Sequence, residues 1–90
     1  MNHDEPVRIP INGTLDLHHF KPSEVADLVV QYIHECMDKE IHSIRLIHGK
    51  GTGTLRETVH STLRKIPEVS TFRLADETGG GWGSTLVELR

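Results

Sequence analysis

The sequence predicts an α/β fold, specifically an α+β two-layer sandwich in which a four-stranded mixed sheet carries two helices on one face. Apolar residues alternate in four short segments and follow helical spacing in two longer ones, in the order β-α-β-α-β-β. Strands joined through a helix are normally parallel, so the first three strands should run one way and the last should return antiparallel. Ninety residues suffice for one such core.

The first strand is predicted over residues 14–17. Its side chains alternate between the two faces of the sheet, so Leu15 and Leu17 point to one face and Asp16 and His18 to the other. Two polar groups therefore share a face at the end of the strand.

The first helix is predicted over residues 22–38. Pro22 suits the first helical position, and Glu24 suits the first turn, where its charge meets the positive end of the helix dipole. The only cysteine, Cys36, lies on the apolar face, which favours burial over a reactive thiol. That face consists of Val25, Leu28, Val29, Ile33, Cys36 and Met37.

The second half of the chain predicts a strand over 43–47, a helix, and alternating strands over 69–74 and 85–89. The S/T-x-x-E pattern from Thr54 to Glu57 is typical of a capping box, which would begin the helix at this point. The apolar face of this helix consists of Leu55, Val59, Leu63 and Ile66.

The composition predicts a cytoplasmic protein without membrane association. No apolar run approaches the roughly 18 residues of a membrane span, and the start, MNHDEPVR, lacks the apolar stretch of a secretory signal. The formal net charge of -3 argues against a protein that coats nucleic acid by bulk attraction. Residues 1–41 carry a net charge of -5 and residues 42–90 a net charge of +2. The positively charged half contains a glycine-rich segment at residues 47–53.

That segment, IHGKGTG at residues 47–53, links the second strand to the second helix. A glycine-rich turn at a helix N-terminus offers free backbone N–H groups to an anion, and glycine permits positive φ and close approach. We expect a phosphate as ligand, although a turn that needs glycine only for its shape is the alternative. GxGxxG and Walker A spacings are absent, which argues against nucleotide cofactors. The expected binding residues are Gly49, Lys50, Gly51, Thr52, Gly53 and Arg56.

The carboxyl ends of parallel strands meet at one edge of a sheet, so His18 and His48 should lie at the same edge. Asp16 can orient the His18 imidazole, whose free pKa of about 6.5 suits proton transfer near neutral pH. An exposed polar pair at a strand end is the simpler alternative. Beside a phosphate-binding loop, however, Asp16, His18 and His48 form a candidate catalytic set for phosphodiester chemistry.

The seven histidines show neither HExxH nor zinc-finger spacing, so no structural metal is expected. A catalytic Mg²⁺ or Mn²⁺ ion, held by Asp16 and a substrate phosphate, stays open. His34 and His60 lie off or at the margin of the apolar helix faces and are expected to be solvated. Trp82, within GGGWG, could stack on a base or anchor the core.

Three segments together resemble the Smr (small MutS-related) domain: LDLH at 15–18, HGKGTG at 48–53 and GGWGST at 80–85. The resemblance spans residues 14–89 and implies a stand-alone Smr domain over residues 14–90 after an N-terminal extension, residues 1–13. It also implies a fold similar to the C-terminal domain of a bacterial translation initiation factor.

Family members nick DNA or cut RNA, so the resemblance implies endonuclease activity. It implies that Asp16 and His18 are the catalytic element and that the HGKGTG segment takes part in substrate binding or catalysis. Many members have glycine where this chain has His19, so the turn there is expected to differ slightly. Gly81, Trp82 and Gly83 of the third segment are expected to contact nucleic acid.

Two rival functions stay open beside the endonuclease. A non-catalytic module would bind RNA, the ribosome or branched DNA through the same edge, and a protein-interaction domain would use the open face of the sheet. RNA and DNA are both candidate substrates.

Overall fold

The computed structural model describes residues 9–75 and 83–90 of the chain. It confirms the predicted α+β class and element order, and the bounds of three elements coincide with those predicted. The elements are β1 (Thr14–Asp16), α1 (Pro22–Asp38), β2 (Ser43–Ile47), α2 (Thr54–Arg64), β3 (Val69–Leu74) and β4 (Ser84–Leu89).

The four strands form one mixed sheet in the order β1-β2-β4-β3. β1 pairs parallel with β2, whereas β4 pairs antiparallel with both β2 and β3. The first three strands therefore run the same way, as predicted, and the last strand inserts between the second and third. Both helices pack on one face of this sheet and against each other. The carboxyl ends of β1 and β2 consequently lie side by side.

The core lies between the helices and the sheet, and it includes the predicted apolar faces of both helices. Tyr32 joins it as well, because its hydroxyl group is satisfied there: it accepts from the Gly13 N–H at 3.0 Å and donates to the Thr14 carbonyl oxygen at 3.1 Å. The helix residues of this hydrophobic core are Val25, Val29, Tyr32, Ile33, Cys36, Val59 and Leu63, with Leu28, Met37 and Leu55 partly buried.

The two helices begin differently. α1 begins as predicted, with the Glu24 carboxylate accepting the Lys21 N–H at 3.0 Å. The capping box predicted for α2 is wrong: Thr54 is already helical, and Gly53, at φ +92°, is the residue that caps the helix. Within the described residues no side chain caps α2, because the residue at the cap is a glycine, whose backbone turns directly into the helix.

Candidate active site at the strand ends

The chain leaves β1 through a hydrogen-bonded turn that exposes His18. The Phe20 N–H donates to the Leu17 carbonyl oxygen at 2.9 Å, and the Leu17 N–H donates to the Ile47 carbonyl oxygen at 2.7 Å, which holds the turn beside β2. His18 and His19 occupy the centre of the turn, and neither has a positive φ. A histidine at position 19 therefore fits without backbone strain.

Asp16 orients the imidazole of His18. Its Oδ1 accepts two hydrogen bonds from His18, one from the backbone N–H at 3.1 Å and one from Nδ1. The bond from the His18 side chain holds the pKa of the Asp16 carboxyl below its usual value, so Asp16 is a carboxylate. Because a carboxylate only accepts, Nδ1 carries the proton and Nε2 is unprotonated in the neutral ring. Both side chains are about half exposed, at 49% and 46% for Asp16 and His18.

The glycine loop, residues 48–53, is attached to the start of β4 and leaves most of its amides unused. The N–H groups of His48 and Gly49 both donate to the Gly83 carbonyl oxygen at 2.9 Å, so these two amides cannot bind a ligand. The amides of residues 50–56 have no acceptor among residues 9–75 and 83–90. They lie at the N-terminus of α2, where the helix dipole favours an anion.

Only two of the three loop glycines require their backbone freedom. Gly49 has φ +82° and Gly53 has φ +92°, whereas Gly51 lies outside the positive region. Gly51 instead leaves open space, since a Cβ there would meet no atom of the described residues within 4 Å. Its lack of a side chain keeps the loop surface bare at that position.

His18 and the glycine loop line one cavity of about 440 Å³, which confirms the predicted meeting of the two strand ends. A Cβ on Gly49 would lie 3.7 Å from the Cβ of His18. Thr52, Thr54 and Arg56 also contribute to the wall.

Two cations lie in the glycine loop and the first turn of α2. Arg56 lines the cavity, and its guanidinium group covers Gly53, with Nη2 only 2.8 Å from where a Cβ would be. Lys50 is exposed, and its stem covers the buried Gly83, with Cγ 3.6 Å from the corresponding Cβ position. Gly81 and Trp82, also predicted to contact nucleic acid, lie outside the described residues.

His48 differs sharply from His18 although both belong to the same site. It is only 3% exposed, and both ring nitrogens are bonded: Nδ1 to the Gly49 carbonyl oxygen and Nε2 to Thr85 Oγ1, each at 2.9 Å. Burial lowers the pKa of His48, and the charge of Arg56 acts in the same direction, whereas the bond to Gly49 opposes them. The ring is therefore neutral at pH 7.

His60 is the residue that sequence reasoning misjudged. The prediction that it is solvated is wrong, because it is half-buried, with its ring centroid 5.0 Å from that of Phe72 and its Nε2 2.8 Å from Thr85 Oγ1. Burial lowers the pKa of His60 as well. Thr85 was also missed, although it shares the inward parity of Val87 in an alternating strand, which is a signal that could have found it.

Within the described part of the chain, no three His, Cys, Asp or Glu side chains are grouped as a metal site requires. The same residues contain no helix long and apolar enough to cross a membrane.

A sequence model of the Smr domain family matches residues 15–90. The chain belongs to the Smr domain family. Among curated relatives of this Smr domain, Endonuclease MutS2 of Gemmatimonas aurantiaca is 39% identical over 85 residues and that of Brevibacillus brevis 37% identical over 80 residues. These matches cover 94% and 89% of the chain but 10% of each relative, so the chain spans about a tenth of their length.

Two solved structures share the fold of this Smr domain. The Smr domain of Thermus thermophilus MutS2 has a TM-score of 0.83 and 35% identity, and the match covers 88% of this chain and 99% of that one. YdaL, a stand-alone small MutS-related protein from Escherichia coli, has a TM-score of 0.81 and 25% identity, covering 87% and 64%. The architecture inferred from the sequence is therefore that of the family.

Proposed function

We propose that this Smr domain is a nucleic-acid endonuclease that cleaves a phosphodiester bond in the cavity between His18 and the glycine loop. The observation that carries the proposal is the meeting, in one cavity, of an exposed imidazole oriented by a carboxylate and a helix N-terminus whose amides have no acceptor among the described residues. The MutS2 relatives are endonucleases by name, which supports the same class of activity for this chain.

His18 is the proposed general base. Its unprotonated Nε2 takes the proton of the attacking hydroxyl, which is the 2'-hydroxyl in RNA or a water molecule in DNA. The Asp16 carboxylate balances the positive charge that the imidazole then acquires. The attacking oxygen bonds to phosphorus as the bond from phosphorus to the leaving oxygen breaks, and that oxygen takes up a proton.

The glycine loop is the proposed site for the phosphate charge. Negative charge builds up on the phosphate oxygens in the transition state, and fixed donors in place before the reaction stabilise it without reorganisation. The unpaired amides of residues 50–56 supply such donors, and Arg56 supplies a cation in the same cavity.

We assign His48 to support of the loop rather than to proton transfer. The ring is 3% exposed and both nitrogens are bonded within the protein, so it offers no free lone pair to a substrate. This narrows the predicted catalytic set of Asp16, His18 and His48 to its first two members.

A divalent ion, where DNA is the substrate, would supply an activated water. Asp16 fits as one ligand, because its Oδ2 makes no hydrogen bond within the described residues and carboxylate oxygens suit Mg²⁺ and Mn²⁺. The substrate phosphate would supply a further ligand, and water molecules the rest.

Cleavage of labelled RNA and nicking of supercoiled plasmid, each with and without EDTA, test the proposal. We expect Asp16→Asn and His18→Gln to lower kcat by about 10²- to 10⁴-fold, the usual contribution of general acid–base catalysis. His34→Gln, an exposed histidine on α1, serves as the matched control and should cleave like the wild type. Wild-type protein that cleaves neither substrate faster than His18→Gln would reject the endonuclease.

A non-catalytic module that binds RNA, the ribosome or branched DNA is the second candidate. It is favoured by one observation: both ring nitrogens of His48 are bonded, so within residues 9–75 and 83–90 the cavity offers a single imidazole, His18, for proton transfer. This function predicts that Lys50→Ala weakens binding and lowers its salt slope by about one. His18→Gln would then leave affinity unchanged, and no product would form.

We also propose residues 14–90 as the domain and residues 1–13 as an N-terminal extension. The start of the family match at residue 15 supports this boundary. Ile9 and Ile11 are partly buried against the core, so the end of the extension should contribute to stability. Removal of residues 1–13 should lower the melting temperature without abolishing folding.

A further inference from the structure

We propose that Thr85 and His60 are positioning residues for the glycine loop and act on it through the ring of His48. The three side chains form one hydrogen-bonded chain, because His48 Nε2 and His60 Nε2 lie 2.9 and 2.8 Å from the same Thr85 oxygen. The chain connects the loop to β4 and to the middle of α2. Its consequence for phosphate binding rests on the function proposed above, whereas the direction of its hydrogen bonds does not.

The direction of each hydrogen bond follows from the Gly49 carbonyl oxygen, which lies at the loop end of this series of hydrogen bonds. The Gly49 carbonyl oxygen only accepts, so His48 Nδ1, at 2.9 Å, carries the proton. In the neutral ring, Nε2 is then unprotonated and accepts from the Thr85 hydroxyl, which has a single proton to donate. The Thr85 oxygen accepts in turn from His60 Nε2. The chain thus fixes His48 as the Nδ1–H tautomer and His60 as the Nε2–H tautomer.

Burial keeps the three hydrogen-bonded side chains uncharged. Thr85 is fully buried, His48 is 3% exposed, and burial lowers the pKa of both imidazoles. A second proton on His48 Nε2 would turn that nitrogen into a donor, so the Thr85 oxygen would face donors on both sides and its own proton would lose its acceptor. Burial and hydrogen bonding therefore favour the same protonation state.

The tautomer of His48 decides which side of the Gly49–Lys50 peptide faces the imidazole. Nδ1–H holds the carbonyl oxygen toward the ring, and because the peptide is trans and planar, the Lys50 N–H points the opposite way. That N–H has no acceptor among the described residues, so it remains available to an anion.

The other tautomer would undo this arrangement. An unprotonated Nδ1 would face the carbonyl oxygen, and two lone pairs at 2.9 Å repel each other. Gly49, at φ +82°, has the backbone freedom to let the peptide rotate away. Rotation would present a carbonyl oxygen where the Lys50 N–H had been, and a carbonyl oxygen repels phosphate.

Imidazole ¹⁵N NMR of the free wild-type domain at pH 7.5 tests the tautomers without any variant or nucleic acid. We expect a protonated Nδ1 and an unprotonated Nε2 for His48, and the reverse for His60. A protonated Nε2 on His48, or an unprotonated Nε2 on His60, overturns the proposal.

Two variant pairs test the positioning role. Thr85→Val removes the hydroxyl and keeps the shape, whereas Thr85→Ser keeps the hydroxyl; His60→Phe removes the donor, whereas His60→Gln offers an amide N–H in its place. We expect Val and Phe to mix the tautomers of His48 and to weaken oligonucleotide binding about three- to tenfold, the worth of one hydrogen bond. Ser and Gln should restore both readouts.

Equal binding by Thr85→Val and Thr85→Ser, with His48 still protonated on Nδ1 in both, overturns the positioning role. If Thr85→Val does not fold, the His60 pair decides by the same two readouts. A wild-type domain that binds no oligonucleotide refutes the proposed function instead, and its imidazole spectra still decide the tautomers.

Discussion

Gly53 is the residue at which the loop becomes a helix, and its replacement by alanine tests the loop geometry directly. Its φ of +92° lies in the left-handed region, where a side chain costs about 1–2 kcal/mol. A Cβ would also approach Arg56 Nη2 to 2.8 Å, although the flexible guanidinium can move aside. We expect Gly53→Ala to lower the free energy of unfolding by about 1–2 kcal/mol. The melting temperature of a domain this size falls by roughly 4–8 °C per kcal/mol.

Gly51 supplies the matched control for this substitution. It belongs to the same loop, but its φ lies outside the left-handed region, and a Cβ would meet nothing within 4 Å in the part of the chain that the structure describes. Gly51→Ala should therefore leave stability unchanged or raise it by about 0.4–1 kcal/mol, because alanine reduces the entropy of the unfolded chain. Urea and thermal unfolding followed by circular dichroism compare the two variants. Equal losses in both, or no loss in Gly53→Ala, would refute the assigned backbone geometry.

Two further predictions concern stability. Because the folded state lowers the pKa of His48, the unfolded chain binds more protons below about pH 6.5, so the free energy of unfolding should fall as the pH decreases from 7.5 to 5.5, by at most about 1.4 kcal/mol per pH unit for this group. Urea titrations across that range check the sign, and a pH-independent free energy would contradict it. Tyr32→Phe should cost about 1–3 kcal/mol because it leaves the buried Gly13 N–H without its acceptor and the Thr14 carbonyl oxygen without a donor. A urea midpoint equal to that of the wild type would contradict this cost, because water would then replace the hydroxyl.

The sequence allowed the meeting of His18 with the glycine loop to be predicted because that inference needs only strand direction. Two strands joined through a helix run parallel, and parallel strands end at one edge, whatever their side chains are. The helices followed equally well from the spacing of apolar residues, since Val25, Val29 and Ile33 recur at one face and are all fully buried. Periodic patterns carry this information along the chain, so no knowledge of distant contacts was needed.

The features that could not be predicted depend on contacts between distant residues. The start of α2 at Thr54 was predicted correctly, but the S/T-x-x-E pattern did not show that Gly53, with its left-handed backbone, caps the helix in place of a Thr54 side chain. His60 sits at the margin of a helix face, and only the position of β4 beside it supplies the Thr85 hydroxyl that makes its partial burial favourable. β4 lies inside the sheet, between β2 and β3. The local sequence pattern does not show which strands β4 pairs with.

The two histidines of the site show how one residue type serves opposite purposes. His18 is half exposed beside an ionised carboxylate, which can balance a positive ring, and its Nε2 has no partner in the described part of the chain. His48 is buried among neutral partners that occupy both nitrogens, and its burial disfavours the charged form. A residue that must exchange protons needs the first environment, and one that must hold a peptide in a single orientation needs the second. The difference in surroundings therefore supports the proposed division of roles, with proton transfer at His18 and support of the glycine loop at His48.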